Sequence, residues 1–489
     1  MKNWSKYQTA IFSFIENAAA GNAVVEAVAG SGKSTTIVEG MNRIPAGKTA
    51  IFLAFNKAIA EELKDRGVNA RTFHSLTYSP VTKSRNARNI ETAKLQLIVK
   101  EKLSGNDAFL YGGFISRMVG LGRQAGVGCL VADTDQTWLE ICNHHDLELE
   151  NENAELGRAL DLCSQLLSWS NADPRIDFDD LLYLAVKDGL TLPKFDYVFV
   201  DEAQDTNAIQ RALLRKILKS ESRIIAVGDP AQAIYGFRGA DSNSLNLIAE
   251  EFDCKSLPLT VSYRCPIEVV EYARRWVSHI EAAPSAAEGS VLNLGTEWEL
   301  GKFVADDLIV CRTTKPLISL AYKFLRARIP AKIMGREIGQ GLKSLINKLN
   351  ANGIDNLMLK LDAWADRESE KAIAKQQECR VEAIRDKAEA ILCLIEGMSE
   401  TERTIPALLT VIDSLFSDSK GSITLATIHK AKGLEADTVF WLNSSQCPAK
   451  WAKSGWQIQQ ENNLCYVAVT RAKQRLFLIE EKSNKEGLS

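Results

Sequence analysis

NAVVEAVAGSGKSTTIVEGM, residues 22–41, is the stretch whose reading decides the fold. It opens on a short apolar, β-branched run, the pattern of a strand. The run leads into AVAGSGKS (Ala27–Ser34) and then into a helix-period segment. Strand, glycine-rich turn and helix in that order form the context that a phosphate-cradling loop requires. Glycines at positions 30 and 32 let backbone N–H groups close around phosphate oxygens, Lys33 reaches toward β and γ phosphates, and the Ser34 hydroxyl suits a magnesium ion. The loop departs from GxxxxGK[ST] at its first position, where Ala27 replaces glycine. Taken alone, a glycine-rich strand-to-helix turn without a ligand is the plainer alternative.

The alternation continues on either side of this loop. KTAIFLAF, DYVFVDEA and RIIAVGDP read as strands, and NKAIAEELKDRG and NAIQRALLRKIL as helices. Such alternation argues a parallel α/β sheet. The rhythm returns in SLPLTVSY, DDLIVCRT, SITLATIH, ADTVFWLN and QRLFLIEE, interleaved with PIEVVEYARRWVSHI and LISLAYKFLRAR, so two α/β units in tandem are expected. Helix-rich, weakly patterned stretches interrupt each unit. The expected division is residues 1–77 with 174–255, an insertion at 78–173, residues 256–338 with 420–489, and a short insertion at 339–419. Within the last, AWADRESEKAIAKQQECRVEAIRDKAEAILCLIEGM suits an amphipathic helix with a solvated face.

A chain of 489 residues is too long for one ordinary core and implies about three or four domains or subdomains. With 46% hydrophobic and 25% charged residues it has the composition of a globular protein rather than a disordered or fibrous one. A net charge of -3 and a pI near 6.1 exclude a whole-molecule positive field, so any nucleic-acid contact must use a local groove. The 10 cysteines form no CxxC pair, and His144 and His145 lack cysteines at zinc-ligand spacing, which argues against a metal cluster or disulfide framework. MKNWSKYQTAIFSFIENAAAG lacks a signal-peptide cleavage pattern and no apolar run reaches membrane-spanning length, so a cytoplasmic protein with no membrane partner is expected.

A second constellation supports the first. DYVFV ends at Asp201, Glu202, Ala203 and Gln204, placing two acids at a strand's carboxyl end, where sites in parallel sheets form. Asp201 suits a magnesium ion held through ordered water, and Glu202 is placed to orient and deprotonate an attacking water. An exposed acidic turn is the alternative, which the preceding phosphate loop and the following QD disfavour.

The ordered set AVAGSGKS, TFHSL, DFDDLL, VDEAQD, GDPAQAIYGFRGAD, SYRCP, TIHKAKGLE and YVAVTRAK resembles the UvrD/Rep/PcrA helicases of superfamily 1A from end to end, apart from the two insertions. FNKAIAEEL and TFHSLTY look most like the F-box DNA helicase branch, though the chain shows no F-box pattern. The resemblance implies two tandem RecA-like P-loop NTPase domains, each with a mainly helical insertion, using ATP and Mg2+. It implies a phosphate loop formed by Ala29, Gly30, Ser31, Gly32, Lys33, Ser34 and Thr35, and an adenine-reading amide at Gln8 in YQTAIF. Gln232 matches the residue that senses the γ-phosphate, Tyr263 an adenine-stacking tyrosine, and Glu435 an acid at the ribose. Arg264 and Arg471 match γ-phosphate arginines carried by the second unit. Such arginines are typically worth about 10³ to 10⁵ in rate, so closing the cleft around ATP and hydrolysing it become one event.

For DNA, the resemblance implies a base stacked on Phe237, where better-known members carry tryptophan, with Tyr235, Arg238, Thr72, His74, Thr427 and His429 facing the strand or coupling it to ATP. Phe55 lies in FNKAIAEEL, one residue shorter than the family's TFTNKAA, at a base-stacking place. The implied activity is that of an ATP-dependent 3′ to 5′ helicase or translocase, acting as a monomer on single-stranded DNA or a single/double-strand junction, its protein loading partner unspecified. The rival reading is a DNA-stimulated translocase that strips proteins or senses DNA within a complex without separating duplex.

Overall fold

The computed structural model describes residues 4–17, 19–145, 147, 149, 151, 153–234, 243–374, 378–417 and 422–481. Contacts divide the chain into two units, Met1–Ala27 with Gly32–Thr260 and Val28–Ser31 with Val261–Ser489.

The first unit is built on six parallel strands: β1 (Asn22–Ala27), β2 (Ala50–Leu53), β3 (Ala70–Arg71), β4 (Phe195–Val200), β5 (Leu218–Gly228) and β6 (Cys254–Leu259). They lie in the order β3-β2-β4-β5-β1-β6. Their apolar runs are continuous because both faces are covered, and successive side chains enter different cores. Val24, Ile51, Leu53, Val198, Val200, Ile224 and Ala226 join one cluster. Their neighbours Ala23, Val25, Phe52, Tyr197, Phe199, Ile225 and Val227 join the other, with Ile11, Ile15, Ile37 and Leu63 from the helices Lys6–Glu16, Lys33–Met41 and Lys57–Asp65.

β6 corrects the sequence reading. Periodicity groups SLPL with the second set of strands, yet it pairs with β1 from Asn22↔Cys254 to Ala27↔Leu259 and so crosses the expected boundary at 255. Amphipathic periodicity identifies a strand but not its neighbour, which is settled by which edge is left to pair.

Between β3 and β4 the described residues form six helices: Phe73–Arg85, Lys94–Lys102, Gly105–Ala125, Asp135–His144, Leu156–Ala172 and Phe178–Lys187. Their buried residues, among them Trp138, Leu166 and Met118, share one cluster with the sheet. DFDDLL has a structural role here. Asp177 caps the helix Phe178–Lys187, and buried Arg123 pairs with Asp177 at 2.9 Å and Asp180 at 2.8 Å, while buried Lys94 pairs with Asp180 at 2.6 Å. Charges at this depth persist because each meets a partner and a hydrogen bond.

The second unit carries a short parallel pair, β7 (Val261–Ser262) and β8 (Glu281–Ala282), and a six-stranded parallel sheet. Its strands are β9 (Ser290–Gly295), β10 (Leu308–Cys311), β11 (Ala331–Ile333), β12 (Ile423–Thr427), β13 (Ala436–Leu442) and β14 (Ala472–Ile479), in the order β11-β12-β10-β13-β14-β9. The helices Arg336–Leu349, Ile354–Ala374, Glu378–Gly397 and Ile405–Leu415 separate β11 from β12. The polar stretch read as an amphipathic helix falls on two of these, packed through Ala365, Ala372, Ile384 and Ala388. Leu357, Leu361, Ile391 and Leu394 continue the same core as Ile309, Phe440 and Phe477 of the sheet. Polar ties add to it: Asp386 accepts from the N–H groups of Thr314 and Lys315, and Arg312 pairs with both Glu382 and Glu461.

Candidate active site

β4, β5 and β1 are neighbours, so the chain leaving each carboxyl end converges on one edge of the first sheet. From β1 comes the glycine loop. Gly32 has φ +77° and precedes the helix Lys33–Met41 without a side-chain cap, leaving first-turn N–H groups for an anion. Gly30, at φ +70°, likewise occupies a backbone region that suits glycine.

From β4 come Asp201 and Glu202, and from β5 come Asp229 and Gln232. Lys33 Nζ lies 3.0 Å from Glu202 Oε1. Gln204 bridges the two acidic loops: its Nε2 donates to Glu202 Oε2 and its Oε1 accepts the Asp229 N–H at 3.1 Å. Gln232 Nε2 donates to Asp229 Oδ2 at 2.7 Å. A Cβ on Gly228 would sit 2.4 Å from Gln204 Oε1, so glycine is required for the bridge. Glu202, a non-glycine residue, takes the left-handed conformation at φ +48°, ψ +42°, strain of the kind held at functional sites.

The electrostatics follow from burial. Burial disfavours the charged ammonium of Lys33, but Glu202, Asp229 and Asp201 outweigh it and hold the pKa above the ordinary lysine value. Asp201 is pushed up to about 6 by burial and then by the Glu202 charge. Burial also raises Asp229. Three carboxyl groups facing one ammonium is an environment that a further cation relieves. Ser34 hydrogen-bonds to Asp201, so the expected magnesium ligands are side by side. The oxygen donors of Ser34 and Asp201 are of the hard type that suits Mg2+.

Gln8 is buried beside this loop. Its Nε2 donates to Thr36 Oγ1 at 3.0 Å and its Oε1 accepts from the Ser5 N–H in a capping box, so the expected adenine reader also pins the helix Lys6–Glu16 to the helix after the glycine loop. Thr35 lies in the first turn of that helix.

In the second unit, Arg264 Nε lies 2.6 Å from Glu435 Oε2, and Arg264 Nη1 donates to Thr470 O at 3.4 Å. Arg471 is 1% exposed, its guanidinium donating to Val467 O, Leu434 O and Thr470 Oγ1. The two expected arginines, Glu435 and the half-exposed Tyr263 are thus gathered from segments distant in sequence. Within the same unit, Gly30 O accepts from Tyr263 N–H at 2.8 Å and Ala29 N–H donates to Tyr466 Oη at 2.9 Å. Ser31 is fully buried and its hydroxyl has no hydrogen-bond partner.

The residues expected to meet DNA divide into three groups. Phe55, 50% exposed, follows β2. Thr72 directly follows β3 and Thr427 ends β12, and they cap the helices Phe73–Arg85 and Ile428–Ala431, with His74 and His429 two residues on. Burial lowers the His74 pKa, favouring the neutral ring, which packs edge-on against Phe178 at 6.3 Å. Tyr235, Phe237 and Arg238 lie outside the described residues. Gln204, Asp229 and Phe178 lie in VDEAQD, GDPAQ and DFDDLL, but nothing in their local sequence discloses a role; the 55% exposure of Phe178 beside His74 is visible only in three dimensions.

This architecture agrees with the comparisons to known proteins. The UvrD/REP helicase N-terminal domain matches residues 10–253, and the UvrD-like helicase C-terminal domain matches 353–483. The chain belongs to the UvrD-like helicase family. It is 26% identical to F-box DNA helicase protein 1 of Schizosaccharomyces pombe, over 93% of this chain and 55% of that one. With F-box DNA helicase 1 of Gallus gallus the identity is 25%, over 93% and 47%. With ATP-dependent DNA helicase PcrA of Staphylococcus epidermidis it is 23%, over 62% and 58%. The chain therefore spans about half the length of these curated relatives. No helix among the described residues is long and apolar enough to cross a membrane.

Proposed function

We propose that this UvrD-like chain is an ATP-dependent motor that moves 3′ to 5′ on single-stranded DNA and can separate duplex at a junction. The observation that carries the reading is the linked series Lys33, Glu202, Gln204, Asp229 and Gln232 at one sheet edge. Lys33 and the glycine loop hold the phosphates, and Ser34 and Asp201 would hold a magnesium ion, which would supply positive charge against the phosphoryl oxygens. An incoming γ-phosphate competes with Glu202 for Lys33, which releases the Glu202 carboxylate to accept a proton from water. Gln232 and Asp229 then sense whether the γ-phosphate is present.

Arg264 and Arg471 supply the remaining cations from the second unit, so hydrolysis requires closure of a cleft. The division into two RecA-like domains with insertions at 78–173 and 339–419 is part of this proposal, as is a strand running past Phe55, Thr72, His74 and Phe178. The names of the relatives, all DNA helicases, support DNA as the substrate.

The test is a duplex with a 3′ overhang, followed for strand separation beside ATPase activity. Unwinding and DNA-stimulated turnover are expected. DNA-stimulated ATPase with directional translocation but no unwinding at any protein concentration would instead establish the protein-stripping translocase, and no stimulation by DNA would sink both readings.

A further inference from the structure

A cavity of about 560 Å3 lies beside β3, the edge strand of the first sheet, and is lined by Lys64, Gly67, Val68, Asn69, Arg71 and Ser75. Its lining holds two cations and no acid. Lys64 belongs to the last turn of the helix Lys57–Asp65, and Arg71 ends β3 immediately before the capping Thr72. The other polar groups are engaged: Asn69 Nδ2 donates to Ala50 O, and the Ser75 hydroxyl donates to Thr72 O. Of the acids on the helix Lys57–Asp65, Glu61 and Glu62 pair with Lys57 and Arg66, and Asp65, next to Lys64 in sequence, makes no ion pair with Lys64 or Arg71 among the described residues. Among the described residues no carboxylate pairs with Lys64 or Arg71. The donors left to face the cavity are therefore one ammonium and one guanidinium. A guanidinium offers the two-pronged geometry that phosphate oxygens match, and an ammonium adds a second point charge.

We propose that this cavity is a phosphate subsite for the backbone of single-stranded DNA, with Arg71 as its main contact and Lys64 as its second. The proposal rests on the DNA-motor reading above and extends the strand's path beyond Thr72 and His74 along the edge of the first sheet. The contact is to phosphate and not to base, so it positions the strand without reading sequence, as a translocating enzyme needs.

The experiment is the affinity of the full chain for a labelled oligothymidylate over a salt series, with an ATPase titration by the same DNA. Each lost phosphate contact to a single strand lowers the slope of log affinity against log salt by about 0.7, equivalent to about fivefold weaker binding at 0.1 M salt. Arg71→Ala is expected to show that loss, Lys64→Ala with Arg71→Ala about twice the slope change, and Arg71→Lys to recover most of the affinity. The DNA concentration giving half-maximal ATPase should rise by the same factor. Thermal melting of each variant separates a folding defect from a lost contact.

An unchanged slope in the folded double variant would overturn the subsite. A dependence on Arg71 seen with ATP or inorganic phosphate but not with the oligonucleotide would also overturn it, in favour of a small-molecule site. Wild-type protein without salt-dependent affinity for the oligonucleotide would remove the motor reading itself, a failure separate from that of Arg71.

Discussion

The two sheets have six parallel strands each, and in each a strand leads into a threonine that caps a helix carrying histidine at its second position, Thr72 after β3 with His74 and Thr427 at the end of β12 with His429. Their loops carry opposite chemistry. The first sheet gathers Asp201, Glu202 and Asp229 about Lys33, with two of those acids raised by burial. The second unit gathers Arg264 and Arg471 about Glu435 and the end of the helix Gly455–Val469. The same scaffold thus holds an acidic edge around one lysine in one case and a pair of arginines in the other. The difference teaches that the fold supplies positions, and the residues placed in the connecting loops supply function.

The strongest test of this asymmetry removes the first cluster. Lys33→Ala and Glu202→Gln should each abolish ATP turnover, with Glu202→Gln retaining nucleotide binding measured by equilibrium titration. Turnover within a few-fold of wild type in either variant would break the assignment of chemistry to the first sheet.

Next in size is Arg264→Ala, expected to lower kcat about 10³-fold while changing ATP affinity far less. If instead affinity fell and kcat held, the second cluster would be a binding element rather than a source of transition-state charge.

The acids can be titrated as well. Because the folded pKa of Asp201 is raised to about 6, its carboxyl takes up a proton as pH falls through that value, where an ordinary aspartate remains ionised. ATPase should fall about tenfold per pH unit below this limb. Raising Mg2+ should move the limb to lower pH, since a bound cation opposes protonation; a limb indifferent to Mg2+ would place the metal elsewhere.

The smallest effect separates what the sheets share. Thr72→Ala and Thr427→Ala each remove an N-cap, worth about 1 kcal/mol in urea unfolding. Equal stability losses with unequal losses of DNA affinity would show that one threonine serves the strand as well as its helix.

Much of this site was legible because its chemistry is local. The glycine loop announces itself by adjacency: Gly30, Gly32, Lys33 and Ser34 lie within one turn of chain, between a strand and a helix. Asp201 and Glu202 were legible for a similar reason, at the end of an apolar run. The roles of Gln204 and Asp229 are hidden in the sequence, because their mutual bond spans 25 positions and depends on β4 and β5 being neighbours. The solvent face of Phe178 was hidden in an apolar helical pattern, and DFDDLL did not disclose that two of its aspartates bind buried Arg123 and Lys94.

By itself the sequence determined the local geometry: which segments are strands, where the backbone needs glycine, and which residues could hold phosphate and metal. These follow from short-range sterics and periodicity, which act between residues close along the chain. Only the tertiary structure decided that β6 pairs with β1, that the helices Ile354–Ala374 and Glu378–Gly397 share the second sheet's core, and that Asp201 is pushed toward neutrality. Strand pairing and burial depend on which distant segments exclude water together, and that is a property of the packed chain.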